Sequence, residues 1–142
     1  MEYESYFGAH GDNIEVYKKY ENELAELAEI EKVESVSYLQ YNLVNSKNSI
    51  TKEPIKFYFQ IIEDANMYLF TDNGDNFKGF EFSKEHKDSI LNYLDGSSVG
   101  INFEHNLNLV YLELGTLTDD MHVDFLAKKY IDAITYINDI IE

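Results

Sequence analysis

The stretch Ile-Lys-Phe-Tyr-Phe-Gln-Ile, residues 55–61, decides the fold class. Its apolar and polar positions alternate with a period of two, and it is rich in aromatic and β-branched residues. This pattern is typical of a β-strand with one buried face. We therefore predict a strand that turns Phe57 and Phe59 into the core and Tyr58 to the opposite face.

Strand signals also occur in four further segments: residues 33–44, 67–70, 99–103 and 107–114. In the first of them the apolar parity switches near Leu39, which indicates a strand with a bulge. The 67–70 segment follows a turn and predicts a hairpin with the 55–61 strand, and the last two segments predict a second hairpin. Gly74, in the turn at residues 72–76, is free to adopt positive φ.

Helical spacing, with apolar residues at three- and four-residue steps, marks residues 12–32, 83–94 and 118–142. Asp12 and Ser83 are the predicted N-caps of the first two helices, and Gly96 stands where the second should end. The last helix is predicted to open at Thr118. Its apolar stripe consists of Val123, Leu126, Tyr130, Ile134, Ile137 and Ile141.

These elements predict a single α+β domain over residues 1–142, in the order α-β-β-β-α-β-β-α. Hairpins dominate the order, so we expect an antiparallel sheet of about five strands packed against helices. A chain of 142 residues has the usual length of one domain.

The chain is strongly acidic, with 27 acidic residues, 11 basic residues that are all lysine, and a formal net charge of −16. A field of this sign repels nucleic acid and anionic membrane surfaces, and it speeds the encounter with basic proteins. The absence of arginine removes the usual bidentate reader of phosphate and guanine. We expect a basic protein partner and no direct binding of nucleic acid or membrane. The alternative is that the charge serves solubility alone.

Motifs that carry chemistry are missing from the sequence. The four histidines form no zinc pattern, there is no cysteine, and no phosphate-binding loop or nucleophile elbow occurs. Residues 72–76 match a calcium-binding loop only in part, because the glycine is the sixth residue of such a loop and the third residue here. A tight turn is the simpler interpretation, and weak cation binding is the alternative. We expect no enzyme activity, no cofactor and no metal site. The acidic start of the chain predicts no signal peptide, and the location is expected to be cytoplasmic.

Negative charge is densest at the two ends of the chain. Residues 1–35 carry ten acids and three lysines, and residues 112–142 carry seven acids and two lysines. We predict the partner-binding surface there, with charge from Glu23, Glu26, Asp119 and Asp120 and exposed aromatic contacts from Tyr17, Tyr20 and Tyr58. Asp119 and Asp120 are also expected in the first turn of the last helix. The alternative for the tyrosines is a place at the margin of the core.

The acidic composition and the absence of catalytic motifs together predict a small inhibitor that neutralises a basic partner protein, such as a nuclease or another nucleic-acid enzyme. It would act as an immunity protein against a toxin or as a phage counter-defence protein. Both roles allow mimicry of nucleic-acid charge or plugging of a catalytic groove. The alternative is a structural or oligomerising accessory protein, for instance a homodimer joined through the C-terminal apolar stripe.

Overall fold

The computed structural model describes residues 11–33, 39–62, 67–104, 107–115 and 122–142. In these ranges the chain forms three helices and six strands. The helices are α1 (Gly11–Leu24), α2 (Lys84–Leu94) and α3 (Val123–Ile140). The strands are β1 (Ile30–Val33), β2 (Leu39–Lys47), β3 (Pro54–Ile62), β4 (Met67–Thr71), β5 (Val99–Glu104) and β6 (Leu107–Gly115).

The six strands form one sheet in the order β1-β2-β3-β4-β6-β5, and all neighbours are antiparallel. This confirms the α+β class and the antiparallel sheet. Both predicted hairpins are present, because β3 pairs with β4 and β5 pairs with β6. The sheet has one strand more than the approximate number expected, and the chain order is α-β-β-β-β-α-β-β-α.

The additional strand lies where the first helix was expected to continue. That helix ends at Leu24 rather than near Lys32, and Ile30–Val33 pairs with β2. The change of parity near Leu39 marks the start of β2, so the single bulged strand predicted over residues 33–44 is wrong. A register irregularity does occur in β2, between Asn42 and Lys47.

The helix α2 confirms its predicted caps. The Ser83 hydroxyl accepts a hydrogen bond from the His86 backbone N–H at 3.1 Å, and Gly96 follows the helix with a φ of 78°. The last helix differs from its prediction, since it begins at Val123 with His122 as N-cap, and not at Thr118. Asp119 and Asp120, which were expected in the first turn, lie outside the described residues.

One hydrophobic cluster joins the inward face of the sheet to the three helices. Phe57 and Phe59 of β3 and Ile134 and Ile137 of α3 are fully buried in it, as the alternation and the stripe predict. Leu126 is only partly buried and packs against the cluster. None of the helices in the described ranges is long and apolar enough to cross a membrane.

Candidate functional site

The outer face of the sheet lies opposite the helices and carries polar side chains. Cross-strand partners share a face, and the register aligns Glu31, Asn42 and Lys56 in one row of β1, β2 and β3. The next row contains Gln40 and Tyr58. This face is therefore where a partner can meet polar groups held on a rigid scaffold.

Glu23 and Glu26 lie at the end of α1 and in the turn after it; Glu26 is exposed and Glu23 is half-buried. The exposed Glu29 and Glu31 continue this series onto β1. We call Glu23, Glu26, Glu29 and Glu31 the acidic edge. Lys32 does not neutralise it, because its ammonium is 2.6 Å from Oε2 of Glu21. The last turn of α1 has no basic residue, so the negative end of the helix dipole adds to the same field.

Tyr20 and Tyr58 are not exposed as expected. Tyr20 is fully buried in the hydrophobic cluster, and Tyr58 retains 8% of its exposure. Their predicted exposure is wrong, because Tyr20 lies on the core side of α1 and Tyr58 is covered on the outer face. Tyr17 belongs to α1, but its side chain lies outside the described part of the structure. Asp119 and Asp120 also lie outside the described residues.

A polar cleft opens on the outer face between the β2–β3 loop and the turn at residues 72–76. Its volume is about 220 Å³. We call it the polar cleft and define it by the side chains that line it: Gln40, Asn42, Asn48, Thr51, Glu53, Pro54, Lys56, Asp75 and Asn76. Eight of these nine residues are polar, so the cleft is suited to a ligand that forms hydrogen bonds.

Two buried amides, Asn48 and Asn76, fix the walls of the polar cleft. The Asn48 side chain donates to the backbone carbonyl of Asn76 at 2.6 Å. The Asn76 amide donates to the Lys56 carbonyl at 2.6 Å and accepts from the Lys56 N–H at 3.1 Å. The loop, the turn and β3 are thereby joined by side-chain hydrogen bonds, of which the one from Asn48 is buried and the two between Asn76 and Lys56 are partly buried. The polar cleft is preorganised because its walls cannot shift without breaking these bonds.

Asp75 presents a carboxylate to the polar cleft in a fixed orientation. The Tyr58 hydroxyl donates to Oδ2 of Asp75 at 2.6 Å. Oδ1 of Asp75 has no hydrogen-bond donor among the described residues, and the residue is exposed. Tyr58 therefore positions an acid at the cleft, and its predicted contact with a partner stays a prediction.

Asp72 lies beneath the same turn and is fully buried. Its Oδ1 accepts hydrogen bonds from the N–H groups of Gly74 at 2.9 Å and Val110 at 3.0 Å. Burial raises the pKa of Asp72 from 3.8 to about 6, against the opposing effect of the hydrogen bonds from Val110, Gly74 and Asn76. The tight turn is confirmed, with a φ of 78° at Gly74, and the Asp72 carboxylate points into the protein.

The stability of the protein should depend on pH through Asp72. An acid whose folded pKa lies above its unfolded value stabilises the fold when protonated, so this contribution is complete below about pH 4 and is lost as the pH rises through about 6. We expect the free energy of unfolding of the wild type to fall across this range relative to that of Asp72→Asn. Urea unfolding at several pH values measures the difference. Parallel pH profiles of the two proteins would contradict the assignment to Asp72.

A second exposed surface, on the helical side, is aromatic. Tyr93 of α2 stacks on Tyr136 of α3 with ring centroids 3.9 Å apart and an interplanar angle of 9°. Phe125, at the start of α3, is 59% exposed, and the Lys129 ammonium lies 5.5 Å from its ring centroid. Large exposed aromatic side chains are typical of contact surfaces.

In the part of the chain that the structure describes, no three His, Asp or Glu side chains are grouped as a metal site. Comparison with protein-family models, with curated proteins and with solved structures finds no match for this chain.

Sequence reasoning found the turn at residues 72–76 but missed the polar cleft above it. The residues that line the cleft come from β2, the β2–β3 loop, β3 and the turn, so no local motif joins them. The available signal was the strong polarity of residues 45–53, which precede the clearest strand, and of residues 72–76, which follow its hairpin partner.

Proposed function

We propose that the protein is a small acidic binding protein without catalytic activity, which inhibits a basic partner protein. A nuclease or another nucleic-acid enzyme is the class of partner that the charge favours, as in toxin immunity or phage counter-defence. The surface for it includes the acidic edge and the neighbouring outer face of the sheet. Nucleic acid itself is not a ligand under this proposal.

The observation that carries the proposal is the charge of the acidic edge, whose four glutamates form no ion pair with any of the described residues. Residues 21–32 contain five glutamates and one lysine, and that lysine is held by Glu21. Carboxylates placed together on an exposed edge repel one another, which is unfavourable unless a cation approaches. A basic partner relieves this repulsion and is attracted over a distance of about one Debye length, roughly 8 Å at physiological salt.

The alternative, an oligomerising accessory protein, loses the feature on which it was first based. The C-terminal stripe lies in the core of its own chain, where Val123, Tyr130 and Ile134 are fully buried. What favours a homodimer now is the exposed aromatic surface of Phe125, Tyr93 and Tyr136. Size-exclusion chromatography at two protein concentrations separates this alternative from the binding protein.

Capture of the partner from an extract of the source cell tests the proposal. The full chain is immobilised, the extract is treated with nuclease, and bound proteins are eluted with a salt gradient. We expect a basic protein that elutes at raised salt and binds at least about tenfold more weakly to the variant with Glu23→Gln, Glu26→Gln, Asp119→Asn and Asp120→Asn. The association rate should fall more than the dissociation rate rises, because charge acts mainly on encounter.

A second four-charge variant is the matched control. It carries Glu81→Gln, Glu85→Gln, Glu104→Gln and Glu113→Gln, all at exposed positions away from the acidic edge. Its net charge equals that of the first variant. An equal loss of affinity in the two variants would therefore show that net charge alone governs binding. Unchanged association in the first variant, with its unfolding free energy intact, would reject the predicted surface.

A further inference from the structure

We infer that the polar cleft is a socket for a single arginine side chain of another protein. The inference deepens the proposed function, on which it rests for the identity of the molecule that carries the arginine. Its own evidence is the size, charge and hydrogen-bonding groups of the cleft.

The size of the polar cleft limits the ligand to one side chain. Pockets for small molecules and cofactors usually measure about 300–1,000 Å³. The volume of about 220 Å³ is below this range, and eight of the nine lining residues are polar. Such a space is too small and too polar for a typical metabolite or cofactor, but it admits the extended end of a long polar side chain.

The charge of the polar cleft selects a cation. Glu53 and Asp75 line it, and Glu31 lies directly across from Asn42 on the neighbouring strand. Lys56 also lines the cleft and offsets one of these three carboxylates. Neither Glu53 nor the free oxygen of Asp75 forms an ion pair within the described residues. A cationic side chain therefore enters a site with excess negative charge and unfilled acceptors.

The distribution of acceptors favours guanidinium over ammonium. Glu53 of the β2–β3 loop and Asp75 of the turn line the cleft from different segments, and Gln40 and Asn42 of β2 line it as well. The Gln40 amide donates to Oδ1 of Asn42 at 3.4 Å, so the Gln40 oxygen is the acceptor that this pair offers. The five N–H donors of a guanidinium point outward in one plane and reach acceptors on several sides, whereas an ammonium is a compact point charge. The Tyr58 hydroxyl holds Asp75 in place beforehand, which lowers the entropic cost of binding.

The arginine does not come from these 142 residues. This chain contains 11 lysines and no arginine, so neither its own segments nor a second copy can provide a guanidinium. The occupant consistent with the acidic surface around the polar cleft is therefore an arginine on a basic partner, and such residues are common at the centres of interfaces.

Titration of the full ¹⁵N-labelled chain with N-acetyl-argininamide, followed by NMR, tests the inference without any partner. Two matched probes are N-acetyl-citrullinamide, which is nearly isosteric and neutral, and N-acetyl-lysinamide. We expect shift changes at the side-chain amides of Gln40, Asn42 and Asn76 with the arginine probe, and binding at least about fivefold weaker with the others. Asp75→Asn should weaken arginine binding about tenfold, the loss expected for one charge-assisted hydrogen bond.

Glu53→Gln, at an exposed position, is a second cleft variant that can be used if Asp75→Asn disturbs the fold. Glu85→Gln on α2 is the control, and it is expected to bind the arginine probe as the wild type does. Equal affinity for the arginine and citrulline probes, equal affinity for arginine and lysine, shifts away from the cleft, or full affinity in both cleft variants would each overturn the socket.

The two proposals fail in distinguishable ways. If the arginine probe binds at the cleft but no basic protein is captured, the socket stands and the proposed function falls. If a captured partner binds Asp75→Asn and Glu53→Gln as tightly as the wild type and is lost only from the variant with Glu23→Gln, Glu26→Gln, Asp119→Asn and Asp120→Asn, the function stands and the socket falls.

Discussion

Replacing Phe59 with alanine should lower the free energy of unfolding by about 3–5 kcal/mol, the largest effect we expect from a single substitution. Phe59 is fully buried, and its ring centroid lies 5.3 Å from that of Phe70 and 6.2 Å from that of Tyr68. The alanine leaves a cavity in the core beside Phe70 and Tyr68 that the strands cannot close by moving, because their backbones are held by the sheet ladder. Chemical denaturation monitored by circular dichroism measures the change.

Phe125→Ala is the matched control for this substitution. It removes the same ring from a position that is 59% exposed, so a cost below about 1 kcal/mol is expected. A cost below about 1 kcal/mol at Phe59 as well would mean that the β3 side chain is not part of the core.

Asn76→Ala is expected to cost about 2–4 kcal/mol although it removes only a small polar group. The substitution deletes two hydrogen bonds to the Lys56 backbone, of 2.6 Å and 3.1 Å, and leaves a partly buried N–H and a partly buried carbonyl without these partners. An unsatisfied buried polar group costs about 1–3 kcal/mol, more than the net gain from an ordinary hydrogen bond. The wild type and the variant are compared by urea denaturation.

Asn102→Ala separates this effect from a general sensitivity to loss of asparagine. Asn102 is exposed on β5, and its amide makes one weak contact with Glu104, at 3.3 Å. We expect a change within about 0.5 kcal/mol. Similar losses at positions 76 and 102 would contradict the view that the Asn76 amide is part of a buried network.

The sequence could predict those elements whose signal is local. Alternation in residues 55–61 reflects the period of a strand, and it places Phe57 and Phe59 in the core without knowledge of the neighbours. The cap at Ser83 is equally local, since its hydrogen bond spans three residues.

The end of α1 could not be predicted in this way. Residues 25–29 are good helix formers, so their intrinsic preference favours continuation of the helix. The chain turns instead, because Ile30 becomes buried and β1 gains a hydrogen-bonded partner in β2, whose residues lie about ten positions further on. Pairing across the sheet outweighs a preference of a few tenths of a kcal/mol per residue.

The candidate site was harder to predict because a tyrosine can pack in the core or use its hydroxyl in a hydrogen bond at the surface of the sheet. Tyr20 follows the helical spacing of the apolar face and belongs to the core, which the alternative interpretation allowed. Tyr58 alternates to the outer face as predicted, but its hydroxyl finds Asp75, 17 residues away in sequence. No pattern within a strand reveals a partner of this kind, and the polar cleft that depends on it is equally nonlocal.

Asn138, near the end of α3, joins this helix to the β2–β3 loop, so that part of the fold cannot form until α3 has been synthesised. Its side chain accepts from the Ser49 N–H at 2.7 Å and donates to the Lys47 carbonyl at 2.8 Å, across about 90 residues of chain. A nascent chain that already contains β2, β3 and the turn still lacks this clamp on the β2–β3 loop. Contacts between residues so far apart in the sequence form late, and they slow folding. The cleft that Asn48 helps to wall is therefore expected to acquire its final shape only after α3 has emerged from the ribosome.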